Sequence, residues 1–437
     1  MSLTLQTLAF LQFFIAIVGI GLVPKATVIA LAVFVAVALG VMVAQRIPWR
    51  DWVHLAAPAW WLIALATLAL ASAVWSIDPS ASLTKGALLS LVVTGTGVAL
   101  ASVRHIDPRL VAAAGLGIIS GTISLVGVNA FELMTDQLLS RQVYTWFPAL
   151  IVAPEKHVFV RDGVAVAVSE ANSNRRIFLA TLLLWPLVYV LWSSPPGVVR
   201  TMTGLALAAS YTVLFLLTKH QTSQFAVVLS LVAFSIALLH RHIILIGLAA
   251  AWSASVLLVV PLALALHSAE LHRAPWLFES ARHRVVIWNN TAEATLDSPV
   301  LGIGAHATST LNAQTRPPIR RTEAADPLEV LNLSEHAHNV YLQTWFELGV
   351  VGAALLLGLG LSVVLTLRTL SGPFLAFAAA QVTVVATSFA FAFGMWQEWY
   401  WSAIAISFVV LNLARVTSER GSPNSDLKRR SVPSAAR

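Results

Sequence analysis

The sequence predicts an all-α membrane protein, a polytopic bundle of about twelve membrane-spanning helices with a helical cap outside the cytoplasm. Three observations lead to this prediction. Hydrophobic residues make up 58% of the 437 residues, whereas charged residues make up only 11%. The apolar residues fall into blocks of about 20, the length that crosses a bilayer as a helix. Two long polar segments interrupt these blocks and would supply the cap.

Each apolar block is a predicted span. The first has no basic stretch before it and no small-residue cleavage site, so we interpret it as a span and not as a signal peptide. Trp49, Trp60 and Trp75 fall near block ends, where indole rings favour the membrane interface. The predicted spans cover approximately residues 4–22, 26–44, 56–75, 84–102, 109–132, 177–193, 202–218, 223–239, 242–264, 338–366, 373–394 and 398–415.

Basic residues in the short loops predict how the bundle is oriented. Arginines fall in the short loops on one side of the membrane, and only lysines fall in those on the other, so the positive-inside rule places both termini in the cytoplasm. Residues 1–265 then hold spans one to nine, including an external segment at 133–176, and residues 266–337 form the large external loop. Residues 338–415 hold the last three spans, and 416–437 form a basic tail that is predicted to be disordered. The residues behind this assignment are Arg46, Arg50, Arg104, Arg109, Arg200, Arg241 and Arg368 against Lys25, Lys85 and Lys219.

The composition also limits the partners. A net charge of +7 carried by loops, tail and polar segments favours anionic membrane lipids and anionic ligands over nucleic acid. The absence of cysteine excludes disulfides, thiolate metal sites and a cysteine nucleophile. The sequence predicts no β-region and no internal repeat.

The stretch His336–Gly349, which reads H-A-H-N-V-Y-L-Q-T-W-F-E-L-G, joins the large polar segment to a predicted span. A helix drawn through it places His336, Asn339, Gln343 and Glu347 on one face. Asn339 is also a suitable N-cap, so the helix could begin after His338 and leave that imidazole on a loop at the helix N-terminus. Interfacial capping and packing would account for some of these side chains, but their density in so apolar a chain favours a functional site.

Arginines in the polar segments point to a phosphate ligand, because the guanidinium group donates two parallel hydrogen bonds and stays charged. Arg161 and Arg284 are the candidates, since each is embedded among apolar residues where a solvated charge would be poorly placed. Arg282, close to the second of them, is assigned to substrate binding. For Arg316, Arg320 and Arg321 we favour contact with lipid headgroups or water.

No metal site or cofactor is predicted. The sequence lacks D-x-D and H-E-x-x-H motifs, and His336 and His338 have only Glu335 or Glu347 as a further ligand. Walker, Rossmann and G-x-S-x-G motifs are also missing, and L-G-I-G at Leu301–Gly304 is read as a turn.

These residues resemble a known family. The string H-x-H-N-x-Y-L-Q-x-x-x-E-x-G at His336–Gly349 is similar to the signature of the O-antigen ligase and O-antigen polymerase superfamily. So are R-x-x-x-W at Arg284–Trp288 and D-S-P-V-L-G-I-G at Asp297–Gly304, and the layout of about twelve spans with one large periplasmic loop. Asn172–Asn174 resembles, more loosely, an Asn-rich turn that precedes a span in that family.

The resemblance implies a GT-C-like membrane glycosyltransferase in the bacterial inner membrane with a periplasmic active site. The donor would be a polysaccharide on undecaprenyl pyrophosphate, and the acceptor a sugar hydroxyl of lipid A–core. The family's catalytic histidine corresponds to His338, and Tyr341 belongs to the signature that would contact substrate together with His336, Asn339, Gln343 and Glu347. Transfer would be inverting and independent of metal, with Arg161 and Arg284 stabilising the pyrophosphate.

Three alternatives stay open at this point. An O-antigen polymerase would join two lipid-linked glycans, and a protein O-oligosaccharyltransferase would transfer the glycan to Ser or Thr. A twelve-span transporter of an anionic solute is a different class, but charges near the bilayer midplane and related halves, which are typical of transporters, are not evident here.

Overall fold

The computed structural model describes residues 3–52, 56–150, 158–315 and 334–421, and these are almost entirely helical. The prediction of an all-α polytopic bundle is confirmed. The helices are α1 (Leu3–Leu22), α2 (Thr27–Ala44), α3 (Ala57–Ala71), α4 (Pro79–Ser102), α5 (Pro108–Met134), α6 (Leu138–Trp146), α7 (Glu170–Ser193), α8 (Val198–Leu217), α9 (Gln221–Leu239), α10 (Arg241–Leu257), α11 (Val259–Ser268), α12 (Glu279–Thr295), α13 (Ala307–Thr315), α14 (Val340–Arg368), α15 (Pro373–Phe391) and α16 (Glu398–Gly421), and the strands are β1 (Val158–Arg161) and β2 (Val164–Val168).

Within the described ranges, 11 spans are long and apolar enough to cross a membrane, and a bent pair of helices can supply a twelfth. The bent pair is α10 and α11, which meet at 68°. The predicted straight span 242–264 is therefore broken. Pro261 explains the break, because proline lacks an amide hydrogen and its ring collides with the carbonyl four residues earlier, at Leu257.

The chain forms two compact units. The first comprises Met1–His54, Gly95–Leu229 and Ser402–Arg437. Here α1 lies along α5 at two glycines four residues apart: a Cβ at Gly117 would lie 2.4 Å from the carbonyl oxygen of Phe10, and one at Gly121 would lie 3.0 Å from Cβ of Ile17. Small residues at this spacing let two membrane helices approach closely.

A buried ion pair joins α5 to α7 in the first unit. Glu132 and Arg176 are both 0% exposed, with 2.5 Å between Oε2 and Nη1. Ser140 donates to the same carboxylate at 2.5 Å, and Gln137 accepts from Arg176 at 2.9 Å. The expected Asn-rich turn at Asn172–Asn174 was wrong, because these residues and Arg176 lie in the first turns of α7 and not in a turn before it.

A β-hairpin is the second difference from the prediction in this unit. Strands β1 and β2 pair antiparallel around Asp162 and Gly163, both of which have positive φ, as tight hairpin turns require. One face of the hairpin is buried with Tyr144, while Phe159 is 50% exposed. An Asp-Gly pair between alternating apolar residues is the sequence signal for this hairpin.

The second unit comprises Leu55–Thr94 and Ser230–Trp401. Helix α14 packs against α3 and α10 through glycines: a Cβ at Gly358 would lie 2.4 Å from the ring of Trp61, and one at Gly360 would lie 2.1 Å from Trp252. Helix α12 also lies in this unit, and its apolar residues Val285, Val286 and Ile287 are buried.

The last helix is longer than predicted. Helix α16 continues to Gly421, so the predicted disordered tail cannot begin at residue 416. Residues 422–437 lie outside the described part of the chain.

Candidate active site

The N-terminus of α14 has the geometry that its sequence suggested. Helix α14 begins at Val340, and the Oδ1 atom of Asn339 caps it by accepting a hydrogen bond from the amide of Leu342 at 3.0 Å. The prediction that His338 lies on a loop before a capped helix is confirmed. The helical wheel was wrong for His336, which lies outside the helix.

His338 is held in one tautomer. Its Nδ1 atom lies 3.0 Å from the carbonyl oxygen of Ala392, at the end of α15. A carbonyl only accepts hydrogen bonds, so Nδ1 carries the proton and Nε2 carries the lone pair. Among the described residues Nε2 has no hydrogen-bond partner. His338 thus presents a basic nitrogen that is free to accept a proton from a substrate.

The backbone conformation and the surroundings of His338 affect the basicity of its Nε2 atom. Its φ angle of 51° lies in the left-handed region, where strain in non-glycine residues often accompanies functional sites. Burial lowers the pKa of His338, the hydrogen bond to Ala392 opposes this, and the positive charge of Arg284 lowers it further. The imidazole is therefore neutral near pH 7.

His336 is placed to orient its neighbour. Its Nε2 atom lies 3.1 Å from Nε2 of Gln397, whose Oε1 accepts from the indole of Trp399 at 2.8 Å. The indole can only donate, so the amide nitrogen of Gln397 faces His336 and donates to it. The lone pair on Nε2 of His336 is therefore engaged. The two imidazole rings are 4.1 Å apart, centre to centre, so His336 supports the ring of His338 directly.

Helix α12 brings the guanidinium group of Arg284 close to His338. The indole of Trp288 donates to the carbonyl oxygen of Ala337, between the two histidines, at 2.9 Å. Arg284 lies one turn earlier on the same helix face. Burial lowers the pKa of Arg284, and no carboxylate in the described ranges lies within 4.0 Å of it. The spacing R-x-x-x-W thus places one uncompensated positive charge beside His338.

Glu347 is a buried carboxylate, 0% exposed, whose partners are all neutral donors. Its Oε2 accepts from the amide of His306 at 3.0 Å and from the indole of Trp396. Its Oε1 accepts from the amide and hydroxyl of Thr308 and from Gln343, at 3.3, 2.5 and 3.2 Å. Gln343 also accepts from the amide of Met395 at 2.9 Å. These bonds tie two segments, 306–308 and 395–396, to α14, so Glu347 and Gln343 organise the site from within.

A kink in α14 explains Gly349 of the His336–Gly349 motif and the glycines Gly302 and Gly304 of the Asp297–Gly304 motif. Gly349 has φ 62° and ψ −161°, which interrupts the helix and leaves backbone carbonyl and amide groups without helical partners. The loop Asp297–Gly304 satisfies them, and positive φ at Gly302 and Gly304 lets it approach. The bonds run from Ile303 to Phe346 at 3.2 Å, from Gly304 to Glu347 at 2.9 Å and from Val350 to Pro299 at 2.8 Å.

Replacing Gly349 by alanine should destabilise the protein by about 1–3 kcal/mol. The cause is twofold: φ is positive, and the added Cβ would lie 2.2 Å from the carbonyl oxygen of Val300. Thermal unfolding of purified protein, followed by tryptophan fluorescence, measures the effect. Gly247→Ala is the control, because a Cβ there would meet nothing within 4 Å. Equal transition temperatures for the two variants would show that the kink contributes nothing to stability.

The comparison with protein families bears on this arrangement. Residues 204–357 match a family model described as O-antigen ligase. Over these residues the match supports the predicted membership of the O-antigen ligase/polymerase superfamily. The match contains Arg284, Trp288, both histidines and the kink at Gly349. A comparison with curated proteins found no match. The protein is thus a multi-pass membrane enzyme of the O-antigen ligase/polymerase type.

The structure places the other predicted site residues of this superfamily member as follows. Arg161 ends β1 in the first unit and is exposed. Arg282 is half-buried on α12, and its Nε atom has no hydrogen-bond partner among the described residues. Tyr341 is 2% exposed and donates to the carbonyl of Ala386 at 3.2 Å, the contacts of a packed core residue. Arg316, Arg320 and Arg321 lie outside the described residues.

Two parts of the site were missed from the sequence. The segment 392–397 supplies the carbonyl for His338 and, through Gln397, the amide for His336. Its signal was the polar break in F-G-M-W-Q-E between the last two spans. His306, two residues after the loop Asp297–Gly304, has φ 61° and is half-buried. Burial lowers its pKa, and the negative charge of Glu347 opposes that.

No group of three or more His, Asp or Glu side chains that could hold a metal ion occurs within the described ranges. The prediction that transfer needs no metal remains a prediction.

Proposed function

We propose that this superfamily member is an O-antigen ligase. It transfers a polysaccharide from undecaprenyl pyrophosphate to a sugar hydroxyl of lipid A–core, at the periplasmic face of the inner membrane. The observation that supports this most is His338, whose Nδ1 is bound to Ala392 and whose Nε2 is left as a base beside the charge of Arg284. A base next to a cation suits attack by a hydroxyl on a carbon that bears an anionic leaving group.

The proposed reaction is a single displacement. Nε2 of His338 takes the proton of the acceptor hydroxyl as its oxygen attacks the anomeric carbon of the donor sugar. The bond from that carbon to the pyrophosphate oxygen breaks, and undecaprenyl pyrophosphate leaves with the electron pair. Arg284, and Arg161 from the external hairpin, stabilise the negative charge on the leaving group. One displacement inverts the anomeric configuration, so no covalent intermediate with the protein is needed.

The predicted orientation of the helix bundle in the membrane supports the same proposal. The arginine bias of the short loops favours the periplasmic side for the N-terminus of α14. There it lies at the end of a membrane span, where a donor and an acceptor that are both lipid-anchored can present their sugars.

The products in cells test this function and separate ligase from polymerase. Lipopolysaccharide is compared by gel electrophoresis in cells with and without the gene. For a ligase, long-chain polysaccharide disappears from lipid A–core while the polymer still accumulates on its carrier. Loss of the polymer itself would identify a polymerase, and loss of glycan from a protein would identify a protein O-oligosaccharyltransferase.

Treatment with EDTA should leave the rate of transfer unchanged. Arginine supplies the positive charge that a pyrophosphate leaving group needs, and no acidic ligand pair was found in the sequence. The measurement uses purified protein and lipid-linked glycan in detergent, before and after chelation. Activity that is lost and then returns with Mg²⁺ or Mn²⁺ would instead make His336, His338 and a nearby glutamate metal ligands.

A further inference from the structure

A groove opens between α10 and α14, far from the candidate active site. It has a volume of about 580 Å³ and lies between the first turns of α10 and the last turns of α14. Its walls are apolar side chains such as Leu245, Ile246 and Leu365, and its basic residues are Arg241, His242 and Arg368. No acidic residue lines it among the described residues.

The groove lies beyond a close contact between the two helices. Near the middle of the pair they are in close contact: the indole of Trp252 donates to the carbonyl of Leu356 at 2.9 Å, and Gly360 lies against the same ring. Beyond this contact, Ala249 on α10 and Val364 on α14 face the space that separates the helices. Both walls belong to the second unit, so the groove is a feature of one compact body.

The basic end of the groove is built from both helices. The guanidinium group of Arg241 donates to the backbone carbonyl of Arg368, which holds the first turn of α10 against the last turn of α14. Arg241 and His242 lie at the N-terminal end of α10, where the helix dipole adds to the positive charge of Arg241. An anion bound here would meet donors from both helices and no competing carboxylate.

We propose that this groove binds an anionic glycerophospholipid, with one acyl chain between α10 and α14 and the phosphate at Arg241, His242 and Arg368. An apolar channel that ends in cations matches the shape and charge of such a lipid. The reacting donor lipid is excluded by distance. His338 precedes α14 and Arg368 ends it, and 29 residues of helix span about 40 Å. The bound lipid therefore belongs to the leaflet opposite the active site.

Charge argues against two other occupants of the groove, namely residues 422–437 of this chain and a second copy of the chain. Residues 422–437 of this chain contain Lys428, Arg429, Arg430 and Arg437 against one acid, Asp426, so the tail would be repelled by the basic end. A second copy would bring the same basic end to the groove. Neither would compensate the charge of Arg241 and Arg368, whereas a phosphate would.

Lipid binding to the purified full chain tests the proposal. Native mass spectrometry in detergent micelles measures binding of dioleoyl phosphatidylglycerol and of dioleoyl phosphatidylcholine, which share acyl chains but differ in charge. The wild-type protein should bind phosphatidylglycerol more tightly. Arg241→Gln and Arg368→Gln should each weaken that binding about fivefold and leave phosphatidylcholine unaffected. Inorganic phosphate at the same concentration should not displace the lipid.

Arg200→Gln is the matched control. Arg200 also lies in the first turn of a membrane helix and donates to a backbone carbonyl, that of Ser194, at 2.9 Å, but it does not line the groove. Ala249→Leu tests the acyl channel without touching the charges, and it should weaken binding of both lipids.

Four results would overturn the proposal: an unchanged preference for phosphatidylglycerol in the two arginine variants, unchanged binding in Ala249→Leu, displacement by inorganic phosphate, or a change of oligomeric state without a change in bound lipid. Because the groove is remote from His338, none of these results depends on whether the proposed transferase activity is correct.

Discussion

Replacing His338 by alanine is expected to lower the rate of transfer by about 10²–10⁴-fold, the usual worth of a general base. Donor affinity should change little, since the imidazole acts on the acceptor hydroxyl and not on the pyrophosphate. The structure supplies the reason: Nδ1 is engaged by Ala392, and Nε2 has no protein partner among the described residues. Single-turnover transfer and donor affinity, measured separately on purified protein, check both parts.

The pH dependence of the transfer rate tests the role of His338 as a base independently. Protonated His338 cannot accept a proton, so the rate should fall as pH decreases through its pKa. Burial places that pKa below the ordinary imidazole value of about 6.5, so the wild-type rate should be level above that pH. His338→Ala should lose this acidic limb.

His336→Ala is the comparison variant. It should reduce transfer less than His338→Ala, because the lone pair of His336 is engaged by Gln397 and the ring only supports its neighbour. If His338→Ala abolished donor binding while His336→Ala removed only the chemical step, the two roles would have to be exchanged.

Replacing Arg284 by lysine is expected to reduce transfer about 10²-fold, comparable to losing one preorganised donor to a transition-state anion. Lysine keeps the charge but loses the planar fork that binds two phosphate oxygens. The protein should still fold, because Arg284 forms no ion pair in the described part of the chain. The exposed Arg161→Lys should show the same defect if both arginines contact the pyrophosphate.

Two further variants make this result interpretable. Arg273→Lys is the control, because Arg273 belongs to the same polar segment but is exposed beside Glu270, at 3.8 Å. Arg284→Gln removes the charge, so it should also raise the pKa of His338 and move the acidic limb of the rate to higher pH, whereas Arg284→Lys should not. Full activity in Arg284→Lys and Arg161→Lys would remove both residues from the site.

The spans and the start of α14 could be predicted because they depend on local rules. Apolar blocks of sufficient length must be helical in a bilayer, where every backbone group needs a partner within its own segment. Asn339 is a cap in the structure because its side chain can replace a helical carbonyl for a neighbouring amide, a property of the residue itself. The pairing of Gln343 with Glu347 likewise follows from helical spacing.

The broken helix and the hairpin were predictable in principle but were missed. Pro261 and the Asp162–Gly163 turn are local signals, and the apolar content around each of them outweighed the signal. The buried ion pair of Arg176 is a different case. Its partner Glu132 lies at the end of another helix, so only folding brings the two charges together.

By itself the sequence determined the membrane class, the number of spans and which stretch carries the histidines, because length, polarity and capping act within a few residues of the chain. Only the tertiary structure decided what each histidine does. Ala392 and Gln397, more than 50 residues away in sequence, engage Nδ1 of His338 and Nε2 of His336. A ring nitrogen is a base only when its lone pair is left free, and that depends on partners that folding brings to the ring.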